Sequence, residues 1–120
     1  MKRGLFLLLC ANPAIAQDYA LRDGDVVPDR ATLSTTILDR DLEYYDGGIS
    51  RYASDGTYAW TYAAENGGGI WEGDYVISPN ATICVTFDTG IARCDMFVTA
   101  GDRLVLLTVD GQRYPVRDIR

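Results

Sequence analysis

The chain contains no histidine, and its single lysine is Lys2. Without imidazole there is no Ser-His-Asp or Cys-His catalytic system and no histidine-ligated zinc site. Without lysine beyond the second residue there is no Schiff base and no Ser-Lys pair in the folded part. Only carboxylate chemistry is left. Cysteine is scarce: after Cys10 only Cys84 and Cys94 remain. No apolar run reaches the ~18 residues of a membrane span. At 120 residues the chain is one domain.

Residues 1–16 read as a secretory signal. Lys2 and Arg3 give a positive start, Leu5 to Cys10 a short apolar stretch, and Ala14-Ile15-Ala16 a small-x-small cleavage site. Cys10 as an acylated residue is disfavoured because Leu9 before it is too large. The chain from Gln17 then carries 9 Arg against 17 Asp plus Glu, a net charge of −8. An acidic surface repels phosphate backbones and anionic headgroups, so neither nucleic acid nor a membrane surface is an expected partner. The expected location is periplasmic or secreted, with no membrane insertion after signal removal.

Residues 17–40 divide into an acidic, mobile lead-in (17–29) and a short helix over Arg30 to Leu38. Asp29 is its expected N-cap, and Leu33, Ile37 and Leu38 share one face. From residue 41 to 120 the pattern changes. Turn signals such as Asp46-Gly47-Gly48, Ser54-Asp55-Gly56, Asp88-Thr89-Gly90 and Asp110-Gly111 recur every 8 to 12 residues. Between them lie short runs of Tyr, Trp, Val, Ile, Thr and Phe, the signature of consecutive antiparallel strands. They fall near 42–46, 49–54, 57–63, 69–77, 82–88, 91–98, 103–109 and 113–118. The expected fold is all-β: a small antiparallel meander closed into an eight-stranded, lipocalin-like barrel, because closure removes two exposed edges. An open sheet or sandwich is the alternative.

Cys84 and Cys94 are expected to be joined, since export places them in an oxidising compartment. The spacing supports this independently. If Asp88-Thr89-Gly90 is a three-residue hairpin loop with Gly90 at positive φ, then Phe87 faces Ile91, Val85 faces Arg93 and Cys84 faces Cys94.

Several carboxylate motifs are present, each with a plainer reading. Phe87-Asp88-Thr89-Gly90 matches the short signature of aspartic proteases, but it is also a good hairpin turn beside a cross-link. Glu72 and Asp74, with Glu43, resemble a glycosidase pair, yet two residues two apart on a strand read as a solvated acidic face. Asp39 to Glu43 suggests calcium, but Tyr44 stands where an EF-hand loop needs glycine. Asn80-Ala81-Thr82 is a glycosylation sequon. No metal or cofactor is expected, and no catalytic residue.

Tyr44, Tyr45, Tyr52, Tyr58, Trp60, Tyr62, Trp71 and Tyr75 fall within 32 residues. Tyr58, Trp60 and Tyr62 alternate on one strand face, and Trp71 and Tyr75 share a side across Gly73. Such amphipathic rings either fill a barrel or line a recognition site. These five are the candidate ligand-binding residues.

The runs Tyr45-Asp46-Gly47-Gly48, Tyr52 to Tyr58, Gly69 to Tyr75, Ile83-Cys84-Val85 and Arg93-Cys94-Asp95 resemble a group of small exported alphaproteobacterial proteins of unknown function, over roughly 41–117. In these a turn of type Asp-Gly-Thr-aromatic precedes a Gly-x-Trp strand and a cysteine pair. The resemblance implies a periplasmic or secreted β domain and carries over no catalytic residue. A looser similarity, in size, export, disulfide and all-β fold, is to small exported barrels that inhibit lysozymes or metalloproteases. The expected function is non-catalytic binding, by a monomer, of a small ligand or envelope component. The alternative is an enzyme inhibitor of the lysozyme- or protease-inhibitor type, offering the loop Ala64 to Gly69 to an envelope protein.

Overall fold

A computed structural model describes residues 19–120. The signal reading of residues 1–16 lies outside the described residues. The elements are β1 (Asp25–Val26), α1 (Arg30–Ile37), β2 (Asp41–Tyr44), β3 (Ile49–Tyr52), β4 (Thr57–Thr61), β5 (Ile70–Ile77), β6 (Thr82–Phe87), β7 (Ala92–Ala100), β8 (Arg103–Leu107) and β9 (Arg113–Ile119), with a 3-10 turn at Ala64–Asn66.

From β2 to β9 each strand pairs antiparallel with the next, and β9 pairs back with β2. The result is a closed eight-stranded barrel, with β1 added outside it on β7. The closing seam holds a bulge. Glu43 faces Asp118 while Tyr44 faces Val116, so Arg117 is the extra residue. A bulge sharpens local twist, which a short meander needs in order to meet itself. Glu43 also ties the seam ionically, to Arg120 at 2.7 Å and Arg117 at 3.8 Å.

The alternation along each strand sets inside from outside. Leu42, Tyr44, Tyr52, Tyr58, Ile83, Val85, Phe97 and Val116 are buried together in the interior. Glu72, Asp74, Arg51 and Arg117 lie on the exposed outer wall. That order is the reverse of a lipid-facing barrel, and no helix among the described residues is long and apolar enough to cross a membrane.

The helix forms as its sequence suggests. The Asp29 carboxylate accepts from the Thr32 backbone N–H at 2.7 Å, satisfying one of the free donors of the first turn. Leu33 and Ile37, one turn apart, are fully buried in the same cluster as Tyr52, Ile83, Phe97 and Leu104. They plug one end of the barrel. The helix stops at Leu38, which bridges to Tyr52, and Asp39 takes a φ of +60° while accepting from the Ser54 N–H at 2.8 Å.

The lead-in differs from its reading as a mobile segment. Asp25 and Val26 pair with Ala100 and Thr99. The Asp25 carboxylate, 2% exposed, takes a bidentate contact from Arg113 at 2.9 and 3.0 Å. Behind this strap Met96, Val98, Val105 and Leu107 form a second apolar cluster on the outer wall, with Tyr19 packed against it. Met96 to Val98 on β7 and Leu104 to Leu107 on β8 are apolar on both faces because both faces are covered there.

The cysteines sit where the hairpin arithmetic puts them. Cys84 and Cys94 are directly opposed and disulfide-bonded, with Cα atoms 4.0 Å apart. The Phe87 N–H donates to the Ile91 carbonyl and Gly90 has φ +92°. Counting back along the ladder makes 84/94 a non-hydrogen-bonded pair, the kind whose side chains approach most closely.

Candidate functional site

The end of the barrel opposite α1 is open, and behind it lies a cavity of about 750 Å³. Drug-sized ligand sites span ~300–1,000 Å³. Its walls come from inward positions of most strands: Tyr44, Ser50, Tyr52, Tyr58 and Trp60 on β2 to β4, Trp71, Val85 and Phe87 on β5 and β6, and Leu106 and Tyr114 on β8 and β9. Tyr62, Ile91, Thr108, Val109, Asp46 and Asp110 line it from the loops, and Arg93, Cys94 and Asp95 from β7.

The rings form one continuous chain. Tyr44 meets Trp60 at 5.9 Å, Trp60 meets Tyr62 at 5.7 Å, and Tyr62 meets Trp71 at 6.5 Å. Trp71 meets Phe87 at 5.5 Å, Phe87 meets Tyr58 at 5.8 Å, and Tyr58 meets Tyr52 at 4.9 Å. Most of these are edge-on, the arrangement ring quadrupoles prefer, and each contact adds ~0.5–1.5 kcal/mol beyond burial. The rings therefore hold one another around the hollow instead of collapsing into it.

Two glycines make room for this wall. A Cβ on Gly48 would lie 2.3 Å from the Trp60 ring, so the indole rests on bare backbone. A Cβ on Gly73 would lie 2.2 Å from the Thr86 carbonyl oxygen, so β5 and β6 approach too closely for any side chain between Trp71 and Tyr75.

Four of the five candidate residues, Tyr58, Trp60, Tyr62 and Trp71, line the cavity. Tyr75 does not. It faces inward but belongs to the packed base, where its hydroxyl donates to the Ala53 carbonyl at 2.6 Å and its ring stands on Tyr52 at 5.3 Å. The spacing showed which side Tyr75 faces but not how far along the barrel it sits.

The polar part of the cavity was not singled out in the sequence. Arg93 and Asp95 both point inward and form a fork, Nε to Oδ2 and Nη2 to Oδ1, each at 2.8 Å. Asp95 is buried and Arg93 half-exposed to the cavity. The signal was available: Val85 faces Arg93, and Val85 is a core position. Beside the pair, Ser50 and Tyr58 share a hydrogen bond of 2.8 Å. The Tyr44 hydroxyl is buried without a hydrogen-bond partner among the described residues. Burial pushes the Tyr58 phenol up to about 12, and raises Tyr44 and Tyr52 further. The hydrogen bonds to Asp95 raise Arg93 above its ordinary value.

The carboxylate motifs are dispersed. Asp88-Thr89-Gly90 is the β6–β7 turn, with the Asp88 N–H donating to the Glu72 carbonyl at 2.9 Å. Glu72 and Asp74 face outward, beside a shallower depression of about 360 Å³ on the outer wall. Asp39, Asp41 and Glu43 each have their own partner, respectively Ser54, Arg51 and Arg120. Among the described residues no three metal-binding side chains gather.

No protein-family model, curated protein or solved structure matches the chain.

Proposed function

We propose that the protein is an exported, non-catalytic binding module that holds a small, largely apolar ligand inside the barrel. The observation that carries this reading is the aromatic-walled cavity of about 750 Å³, plugged by α1 and open at the other end. A barrel that served only as a scaffold gains stability by filling such a space. The loop from Ala64 to Gly69 is less suited to the inhibitor role. It folds back on itself in a 3-10 turn, Gly68 N–H to the Ala63 carbonyl at 3.0 Å, instead of offering an extended segment. Export is consistent with the Cys84–Cys94 bond. A non-catalytic role is supported by the chemistry of the lining, whose one cation is already paired with Asp95.

The chain has two tryptophans, Trp60 and Trp71, and both line the cavity. Intrinsic fluorescence is therefore a direct reporter. Titration with the neutral dye N-phenyl-1-naphthylamine is expected to quench tryptophan emission and enhance dye emission in a saturable, one-to-one manner. Absence of saturable binding at micromolar protein overturns the proposal.

A further inference from the structure

The polar wall of the cavity holds guanidinium N–H donors that no acceptor among the described residues fills. Arg93 spends Nε–H and one Nη2 proton on Asp95, leaving the second Nη2 proton and both Nη1 protons without a partner among the described residues. Tyr44 adds a buried hydroxyl with no hydrogen-bond partner among the described residues. Ser50 and Tyr58 share one hydrogen bond. Each Asp95 oxygen already accepts one bond from the guanidinium, and Asp95 is buried behind Arg93, so the guanidinium is the more accessible partner for an entering ligand.

Charge narrows the class. Asp95 already neutralises Arg93, so an anion entering the site gains little net attraction. It would also pass Asp46 and Asp110 on the lining, in a chain of net charge −6 overall. A cation would meet the guanidinium at the inner end. Resting on the reading of the barrel as a binding module, we infer that the ligand is an uncharged, ring-bearing molecule that enters with a carbonyl oxygen foremost and accepts from Arg93. Its rings lie between Trp60, Trp71 and Phe87, and the acceptor tops up the unfilled donor capacity beside Tyr44.

Four naphthalene probes of one shape test this by equilibrium dialysis: 2-acetylnaphthalene, 2-ethylnaphthalene, 2-naphthoate and 2-naphthylmethylammonium. The ketone is expected to bind about tenfold or more tightly than the ethyl compound, since hydrogen bonds to a charged group are worth that ratio. Both ions are expected to bind more weakly than the ketone. In the double variant Arg93→Met, Asp95→Leu, which replaces the ion pair by apolar groups without orphaning a charge, the ketone preference is expected to vanish while 2-ethylnaphthalene binds at least as well. That last readout separates loss of the acceptor site from loss of the fold. Equal affinity for ketone and ethyl compound, a ketone preference that survives the double variant, or a preference for either ion overturns the inferred class and leaves the binding module standing. Failure of all four probes overturns the binding module, and the class with it.

Discussion

Substituting Gly73→Ala adds one methyl group at the place where the barrel has least room for it. The new Cβ falls 2.2 Å from the Thr86 carbonyl oxygen, 2.7 Å from the Phe87 Cα and 2.9 Å from the Thr86 carbonyl carbon. All three are backbone atoms, so no rotamer change relieves the clash. Strands β5 and β6 must part by about 1 Å to restore ordinary contact, across a ladder that pairs Gly73 with Phe87 and Asp74 with Thr86. Overpacking by a methylene costs ~1–3 kcal/mol where side chains can adjust. Here they cannot, and about 3 kcal/mol is expected. For a domain of this size each kcal/mol moves the midpoint by ~4–8 °C, so thermal unfolding followed by circular dichroism should fall by roughly 12–24 °C. Parting these strands also separates Trp71 from Phe87, now 5.5 Å apart, and should weaken dye binding. Val76→Ala, on the exposed outer wall of the same strand, is the control and should cost less than about 0.5 kcal/mol. A Gly73→Ala loss below about 1 kcal/mol refutes the close-approach reasoning.

Three other outcomes are expected. Replacing both cysteines by serine removes a link of sequence separation 10 and should cost about 3 kcal/mol on the chain-entropy model, read from urea midpoints with the far-ultraviolet spectrum retained; an unchanged midpoint contradicts it. The phenols of Tyr44, Tyr52 and Tyr58 are raised on folding, so their contribution is complete below pH 10 and is lost as pH climbs toward 12. Phenolate absorbance from these three should rise only together with loss of near-ultraviolet dichroism, and ionisation with the fold intact is the contrary result. The Asp25 carboxyl is held down to about 2, chiefly by Arg113, so β1 should stay docked at neutral pH and release as pH falls from about 4 toward 2. Arg113→Ala should release β1 at pH 7 with the barrel intact, seen as loss of strand-like amide shifts at Asp25 and Val26; a strap still docked in that variant means the ion pair is not what holds it.

Much of the fold was legible because its signals are local. Gly47, Gly56, Gly90, Gly101 and Gly111 all take positive φ in strand-joining turns, and the eight strands between the turns match their expected places within a few residues. The Asp29 cap and the Leu33 and Ile37 face were legible for the same reason. What was missed depends on contacts distant in sequence. The two-residue β1 is too short to announce itself and is held by Arg113, 88 residues away. Tyr75 has the right face but the wrong depth, because depth follows strand tilt and stagger around the barrel, which no single strand encodes. Arg93 and Asp95 flank Cys94 and carry no local signal of which way they face. Their inward direction follows once Cys84 and Cys94 are known to be opposed on the outer wall, since neighbours on a strand face opposite ways.

Ligand binding inside the barrel requires that the interior between Trp60 and Trp71 be hollow and reachable from one end. Isotope-filtered nuclear Overhauser spectroscopy of the labelled protein with unlabelled 2-acetylnaphthalene measures that. Contacts from the naphthalene protons to Trp60, Trp71 and Phe87, with the acetyl methyl nearest Tyr44 and Arg93, are the expected result. Contacts confined to the outer wall, or rings of Trp60 and Phe87 packed so that no probe enters, would contradict it.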